Sequence, residues 1–236
     1  MRLKRHARRL VDRVRKAVNR QVGPRRFRKA LAAGGPKRIV IGSAGWFDHG
    51  WIPTDEHFLD LTKPATWLLH FAPNSVDALL AEHVWEHLTP EEARIACQTC
   101  FTYLKPGGYA RIAVPDGYHP DPVYQQWVRV GGAWVGQLSN DHRVLYTHET
   151  LVSLFESAGF RVELLEYFDA AGSFHTEPWD VAQGKIRRSE RFNKHKYNVS
   201  DTSIIIDAFK PAQKIVSAAR TGTGESRVVR AGVQSV

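Results

Sequence analysis

Residues 76–92 constrain the chain more than any other stretch. Val76-Asp77-Ala78-Leu79-Leu80-Ala81 is a short apolar run of the kind buried in the middle of a sheet. Glu82, His83, Glu86 and His87 then crowd ionisable groups onto its end. Thr89-Pro90-Glu91-Glu92 is a helix start, with Thr as N-cap, Pro at the first helical position and acids in the first turn. Open α/β sheets place their ligands at the carboxyl ends of their strands. The stretch therefore predicts a buried strand, a reactive edge and a helix, in that order.

The flanking sequence repeats the alternation. Lys37 to Ile41 reads as a strand that breaks into Gly42-Ser43-Ala44-Gly45, small residues that let a ligand approach the backbone. Trp51 to Asp55 reads as a second short strand ending in a carboxylate, where an acid could hold a ribose by its hydroxyls or lie in a solvated loop. The interval between Gly42 and Asp55 is too short for a full crossover helix, so the first βα unit is reduced. Leu59 to Phe71 is apolar and irregular, with Trp67-Leu68-Leu69 expected in the core. A helix spans Pro90 to Tyr103 and is closed by Lys105-Pro106-Gly107-Gly108. Tyr109 to Val114 is the next strand, ending at Asp116. Cys97 and Cys100 fall inside the helix and read as core rather than as a redox or zinc pair. Residues 118–146 look like a substrate wall, with Tyr118, Asp141, His142 and Tyr146 as candidates. Thr147 caps a further helix through Ala158, and Arg161–Phe168 and Ser203–Phe209 read as an antiparallel pair at one sheet edge.

The net charge of +9 divides unevenly. Residues 1–38 hold 15 Lys/Arg against the single acid Asp12, whereas residues 39–210 hold 14 against 22 Asp/Glu. A basic pI therefore does not make the body a nucleic-acid binder. The expected organisation is a basic amphipathic helical arm over 1–35, one domain over 36–211 and a disordered tail over 212–236. Apolar or small residues at Leu3, Ala7, Leu10, Val14, Val18 and Val22 give the arm its helical spacing, with Gly23-Pro24 as its end and a second short basic helix after it. Such an arm would lie on the acidic body or contact an anionic membrane surface or polyanion, and charge alone does not choose among them. No apolar run is long enough to span a bilayer. Two cysteines and no apolar leader core lead to a cytoplasmic expectation, peripheral to the membrane if the arm binds lipid.

The order of elements resembles class I S-adenosylmethionine-dependent methyltransferases. Ser75-Val76-Asp77-Ala78 with His83-Val84-Trp85-Glu86-His87-Leu88 is similar to the fourth-strand signature of the type 11 group, and Leu104-Lys105-Pro106-Gly107-Gly108 to that group's turn into the fifth strand. Val114-Pro115-Asp116-Gly117, Asp141-His142, Ala158-Gly159-Phe160 and Thr202-Ser203-Ile204-Ile205 resemble a subgroup of predicted bacterial methyltransferases. The resemblance implies a Rossmann-like, mostly parallel sheet with one reversed strand, and S-adenosylmethionine as cofactor. It implies Gly42, Ser43 and Gly45 against the methionine and ribose, Asp55 on the ribose hydroxyls, and Glu82 and His83 near the reactive methyl.

Methyl transfer from a sulfonium is an in-line displacement that asks the protein for alignment and, for a hydroxyl or amine acceptor, a base. His83 and Asp116 rank first as catalytic candidates because both lie just past the ends of central strands; His87, Glu86 and His142 follow. The acceptor, whether small molecule, glycan, lipid or protein, is not legible. Two other classes stand beside this one. A methyltransferase-like domain could bind a partner without turnover. His83-x-x-Glu86-His87 also has the inverted zinc-peptidase spacing, but that chemistry needs both histidines on one helix face, and here a strand end and Pro90 intervene. The expectation is that the chain holds no metal.

Overall fold

The computed structural model describes residues 20–131, 141–193 and 202–212. Among these, β1 (Arg38–Ile41), β2 (Ile52–Pro53), β3 (Val76–Glu82), β4 (Leu104–Pro115), β5 (Arg161–Phe168), β6 (Phe174–Thr176) and β7 (Ser203–Phe209) form one sheet. Its spatial order is β2-β1-β3-β4-β7-β5-β6. β2, β1, β3 and β4 are parallel neighbours, β7 is antiparallel to β4 and β5, and β6 is antiparallel to β5. Five strands thus share one direction, as expected of a mostly parallel α/β sheet, and an antiparallel strand lies at the edge. The second reversed strand, β6, follows from a turn that Asp169 closes: its carboxylate accepts the amides of Ala171 and Ser173.

Between β1 and β2 there is no helix, so the first βα unit is reduced as the spacing required. β2 contains Pro53, which is tolerated because the strand sits at the sheet edge. The helices are α1 (described from residue 20 to 32), α2 (Pro64–Leu68), α3 (Pro90–Tyr103), α4 (Pro122–Val128), α5 (His148–Ser157) and α6 (Glu190–Asn193). Thr89 and Glu92 form a reciprocal capping box at the start of α3, and Thr147 and Thr150 do the same for α5. Cys97 and Cys100 are buried on the inner side of α3, and burial pushes the Cys97 thiol up to about 12, so both are core residues.

Strand alternation sorts the interior into two faces. Ile39, Ile41, Leu79, Ala81, Ile112, Val114, Ile204 and Ile206 point to the side covered by helices, where Phe27, Trp67, Trp85, Tyr103 and Phe155 complete the larger core. Val40, Ala78, Leu80, Ala113 and Ile205 point the other way and are covered by Trp51, Trp179 and Ile186. On that second face the cover is the strap of residues 179–190. Two buried anchors hold it. Arg111 and Asp207 are register partners across β4 and β7 and form a bidentate pair at 2.7 and 2.8 Å. The same guanidinium donates to the carbonyls of Asp180 and Gly184. Glu166 accepts Trp179 Nε1, Ser189 Oγ and the Glu190 amide.

Several expectations are corrected. Gly23-Pro24 does not end a helix; α1 runs through both residues. Pro24 removes one hydrogen bond from the helix, and the burial of Phe27 (1% exposed) against Phe58, His70 and Phe71 offsets that loss. α1 thus packs on the body through Phe27, within the stretch expected to form a basic arm. Trp67 is buried as expected, but Leu68 and Leu69 are 65% and 77% exposed, because α2 is one short turn with a single inward position. Lys105-Pro106-Gly107-Gly108 lies within the span of β4 instead of preceding it, with α3 ending directly at the strand and Gly107 at φ +81°. The 118–146 stretch contains α4, capped by the Asp121 carboxylate. Most of the expected amphipathic helix over 2–22, the tail beyond 212 and residues 132–140 of the expected wall lie outside the described residues.

Candidate active site

β1 connects outward to β2, and β3 returns on the other side of β1, so the chain reverses its direction of winding between β1 and β3. That switch point is where an open α/β sheet leaves a crevice at its carboxyl edge. The loop after β1 and the residues after β3 face each other there.

The β1 loop turns by left-handed backbone: Gly42, Ala44 and Gly45 have φ of +58°, +46° and +83°. A Cβ on Gly42 would stand 3.0 Å from Val84 Cγ2, so glycine is required both for φ and for the approach to the β3 end. Ser43 is buried; its amide donates to Thr54 O at 2.9 Å and its Oγ accepts from Gly45 N. Asp55 follows Thr54 at the end of β2, half-buried, with Oδ1 3.1 Å from His57 Nδ1.

On the other side, Glu82 Oε1 accepts the amide of Arg188 at 2.8 Å. His83 has φ +58°, an uncommon conformation for a side chain of its size, held by its amide donating to Ala113 O at 2.9 Å. That backbone twist carries the imidazole between Ser203 and Glu86: Nε2 is 2.9 Å from Ser203 Oγ, and Nδ1 is 2.8 Å from Glu86 Oε1. Burial, with help from Arg188, pushes the His83 pKa down, against the pull of Glu86. The ring is therefore neutral near pH 7 and has a lone pair to offer. The strap bridges the two sides of the crevice, with Arg188 on Glu82 and the Arg187 guanidinium 4.9 Å above the Trp46 ring.

The other candidates separate. Asp116 is buried and both carboxylate oxygens accept backbone amides, Tyr118 N at 2.9 Å and Phe168 N at 2.7 Å. It ties the end of β4 to the end of β5, and burial raises its pKa to about 6. Tyr146 is a core residue rather than a wall, since its backbone pairs with Asp116 and its ring joins the larger core. Tyr118 packs edge-on against His148. Asp141 and His142 lie against His87: Asp141 Oδ1 is 3.2 Å from His87 Nδ1, and the His142 ring is 5.0 Å from the His87 ring. His83 follows strand β3 and His87 sits in the 3-10 turn Trp85–His87, so the two histidines do not share a helix face as the zinc-peptidase pattern requires, although both rings approach Glu86 Oε1, at 2.8 and 3.9 Å.

Sequence reasoning missed Ser203 and Arg188. Ser203 had a usable signal: an antiparallel strand begins where its parallel neighbours end, so the first residue of β7 lies at the functional edge, paired with Pro115. Arg188 had none, since its backbone amide rather than its side-chain type makes the contact.

The family model described as "Methyltransferase domain" matches residues 10–165, well over half of the chain. Among solved structures, an S-adenosylmethionine-dependent methyltransferase from Archaeoglobus fulgidus is similar at 16% identity over 81% of this chain and 94% of that one, with a TM-score of 0.44. A possible histamine N-methyltransferase from Thermotoga maritima is similar at 13% identity over 86% and 99%, TM-score 0.44. Haemonchus contortus phosphoethanolamine N-methyltransferase 2, bound to S-adenosyl-L-methionine, is similar at 14% identity over 75% of this chain and 49% of that one, TM-score 0.37. No curated protein matches the chain. Likeness at these levels says nothing of substrate, but the extent of the domain match is decisive: the chain belongs to the methyltransferase domain family.

Proposed function

We propose that the protein transfers a methyl group from S-adenosylmethionine to an oxygen or nitrogen of an acceptor, with His83 as the base. The observation that supports this reading is the placement of His83: neutral, buried, backbone-strained, and held at the winding switch between a hydroxyl and a carboxylate. Family membership supplies the donor class. The residues fit that donor: a left-handed loop at Gly42–Gly45 gives a backbone cradle, and the Asp55 carboxylate offers acceptors for ribose hydroxyls. The bound donor supplies an electrophilic methyl on a sulfonium. This chain aligns the acceptor, excludes water by the strap, and takes the acceptor's proton at His83 Nε2, directly or through Ser203 Oγ, while Glu86 orients Nδ1. Asp116 is assigned a bracing role from its two amide contacts.

One observation favours a second, non-catalytic reading. The strap already uses Glu82 and packs on Trp46, so the crevice is partly filled by the protein itself. The basic N-terminal segment is proposed to hold the protein to an anionic surface, on charge alone.

Calorimetric titration with S-adenosylhomocysteine, followed by a screen of cell extract for acceptors of labelled methyl, tests the reading. Binding with label transfer by wild type, and binding without transfer by His83→Gln, is the expected result. No binding at millimolar cofactor would move the assignment to the non-catalytic reading.

A further inference from the structure

We propose that Glu86, His87 and His142 form a binding site for one divalent transition-metal ion of the Zn2+ type. Glu86 and His87 come from the 3-10 turn after β3, and His142 from the far end of the insertion. Each offers one ligand atom, and these atoms lie within 4.8 Å of one another. Ligands about 2.0–2.2 Å from a shared ion are about 3–4 Å apart, a closing that small side-chain rotations supply. His87 is free to make that rotation, with a third of its side chain exposed.

The second observation is Glu86 itself. Its side chain is 1% exposed; Oε1 meets His83 Nδ1 at 2.8 Å, and Oε2 has no hydrogen-bond partner among the described residues. A carboxylate so buried calls for more than one imidazole contact, since a buried charge is costly unless it is paired.

The two histidines are set up as metal ligands. His142 Nδ1 is 3.0 Å from the carbonyl of Val128, which can only accept, so Nδ1 carries the proton and Nε2 keeps its lone pair. Asp141 Oδ1 lies 3.2 Å from His87 Nδ1, and His87 Nε2 faces Glu86 Oε1 at 3.9 Å. A histidine that gives one N–H to a carbonyl or carboxylate and turns the other nitrogen inward is the usual support of a metal site. Two imidazoles and one carboxylate favour Zn2+ or Co2+ over Mg2+ or Ca2+. The expectation of no metal rested on His83 and His87 as the pair; the structure replaces His83 with Glu86 and His142, which the sequence keeps far apart. The inference shares Glu86 with the proposed methyl-transfer site, but its test reads metal binding alone.

The test uses the full, untagged chain, stripped with chelator and titrated with Zn2+ by calorimetry and with Co2+ by visible absorption. Wild type should bind one ion per chain, and His142→Ala and His87→Ala should each bind about 100-fold more weakly or worse. The metal-free thermal transition of each variant checks its fold, and either variant suffices if the other is misfolded. His57→Ala is the control, because Asp55, Glu56 and His57 form a second, more exposed cluster. No one-to-one Zn2+ binding by wild type, undiminished binding by folded His142→Ala or His87→Ala, or loss of binding in His57→Ala would each overturn the proposal.

Discussion

His83 and Ser203 meet across 120 positions of sequence, Nε2 to Oγ at 2.9 Å. The contact joins the end of a parallel strand to the start of an antiparallel one, which is possible only because β7 inserts beside β4 with its first residue opposite Pro115. The reactive edge is therefore built from residues whose proximity is a property of the sheet's topology.

The pH dependence of methyl transfer should report the neutral His83. Burial and Arg188 hold its pKa below the ordinary histidine value, so activity should persist to more acid pH than an ordinary histidine base allows. His83→Gln should lower kcat by about 100-fold or more, the usual contribution of a general base, with little change in cofactor affinity. For stability the sign is equally defined. A group whose folded pKa is depressed stabilises the fold above its unfolded pKa and loses that contribution as pH falls through the folded value. Urea titrations from pH 8 to pH 5 should show wild type losing stability relative to His83→Gln on the acid side.

Asp116 should show the opposite sign. Its folded pKa of about 6 lies above its unfolded value of 3.8, so the folded state binds the extra proton. Its contribution is fully present below the unfolded pKa and is lost as pH rises through 6. Wild type should gain stability relative to Asp116→Asn between pH 7 and pH 4, by an amount on the order of 3 kcal/mol. Methyl transfer within about tenfold of wild type in that variant would fit a brace; a loss as deep as that of His83→Gln would return Asp116 to the chemistry.

The strands other than β6, with α3 and α5, were legible because their signals are local: β-branched runs for β1 and β7, and capping boxes at Thr89 and Thr147. The carboxyl edge was legible in outline, since Gly42, Glu82 and His83 directly follow strands. What the sequence hid was long-range. Phe27 looks like one apolar residue among arginines until Phe58 and Phe71 are packed on it. The strap reads as a polar excursion because its anchors, Arg111 and Glu166, sit in other elements. Asp116 and His83 have similar sequence contexts, and only their partners show that one holds backbone and the other a hydroxyl.

Residues 1–35 should not be removable as one dispensable unit, because Phe27 is buried. Phe27→Ala should destabilise the protein by about 3–5 kcal/mol, as truncation of a buried aromatic does. An unchanged thermal transition on deleting residues 1–35 would contradict this.

Breaking the strap's main anchor should be costly. Arg111 is fully buried and pairs with Asp207 in two hydrogen bonds. Asp207→Ala leaves the guanidinium buried with only the carbonyls of Asp180 and Gly184, so a loss of about 3–5 kcal/mol is expected in urea denaturation. A loss under about 1 kcal/mol would mean that water reaches the pair and that the strap is not anchored there.

The last prediction concerns the donor. Asp55 sits at the end of β2 beside the left-handed loop, and its side chain is only one-fifth exposed. Its carboxylate contacts His57, while its backbone carbonyl separately accepts the amides of Phe58 and Leu59. Asp55→Asn keeps the backbone contacts and most of the shape but removes the charge. A charge-assisted hydrogen bond contributes about 1.5–3 kcal/mol, so S-adenosylhomocysteine should bind about 10- to 100-fold more weakly to this variant with its thermal transition unchanged. Gly42→Ala is a poorer probe than it looks from sequence, because the added methyl meets Val84 at 3.0 Å and φ is +58°, so folding suffers along with binding. If Asp55→Asn binds as wild type does, the nucleoside lies elsewhere on the carboxyl edge and the crevice between β1 and β3 belongs to another ligand.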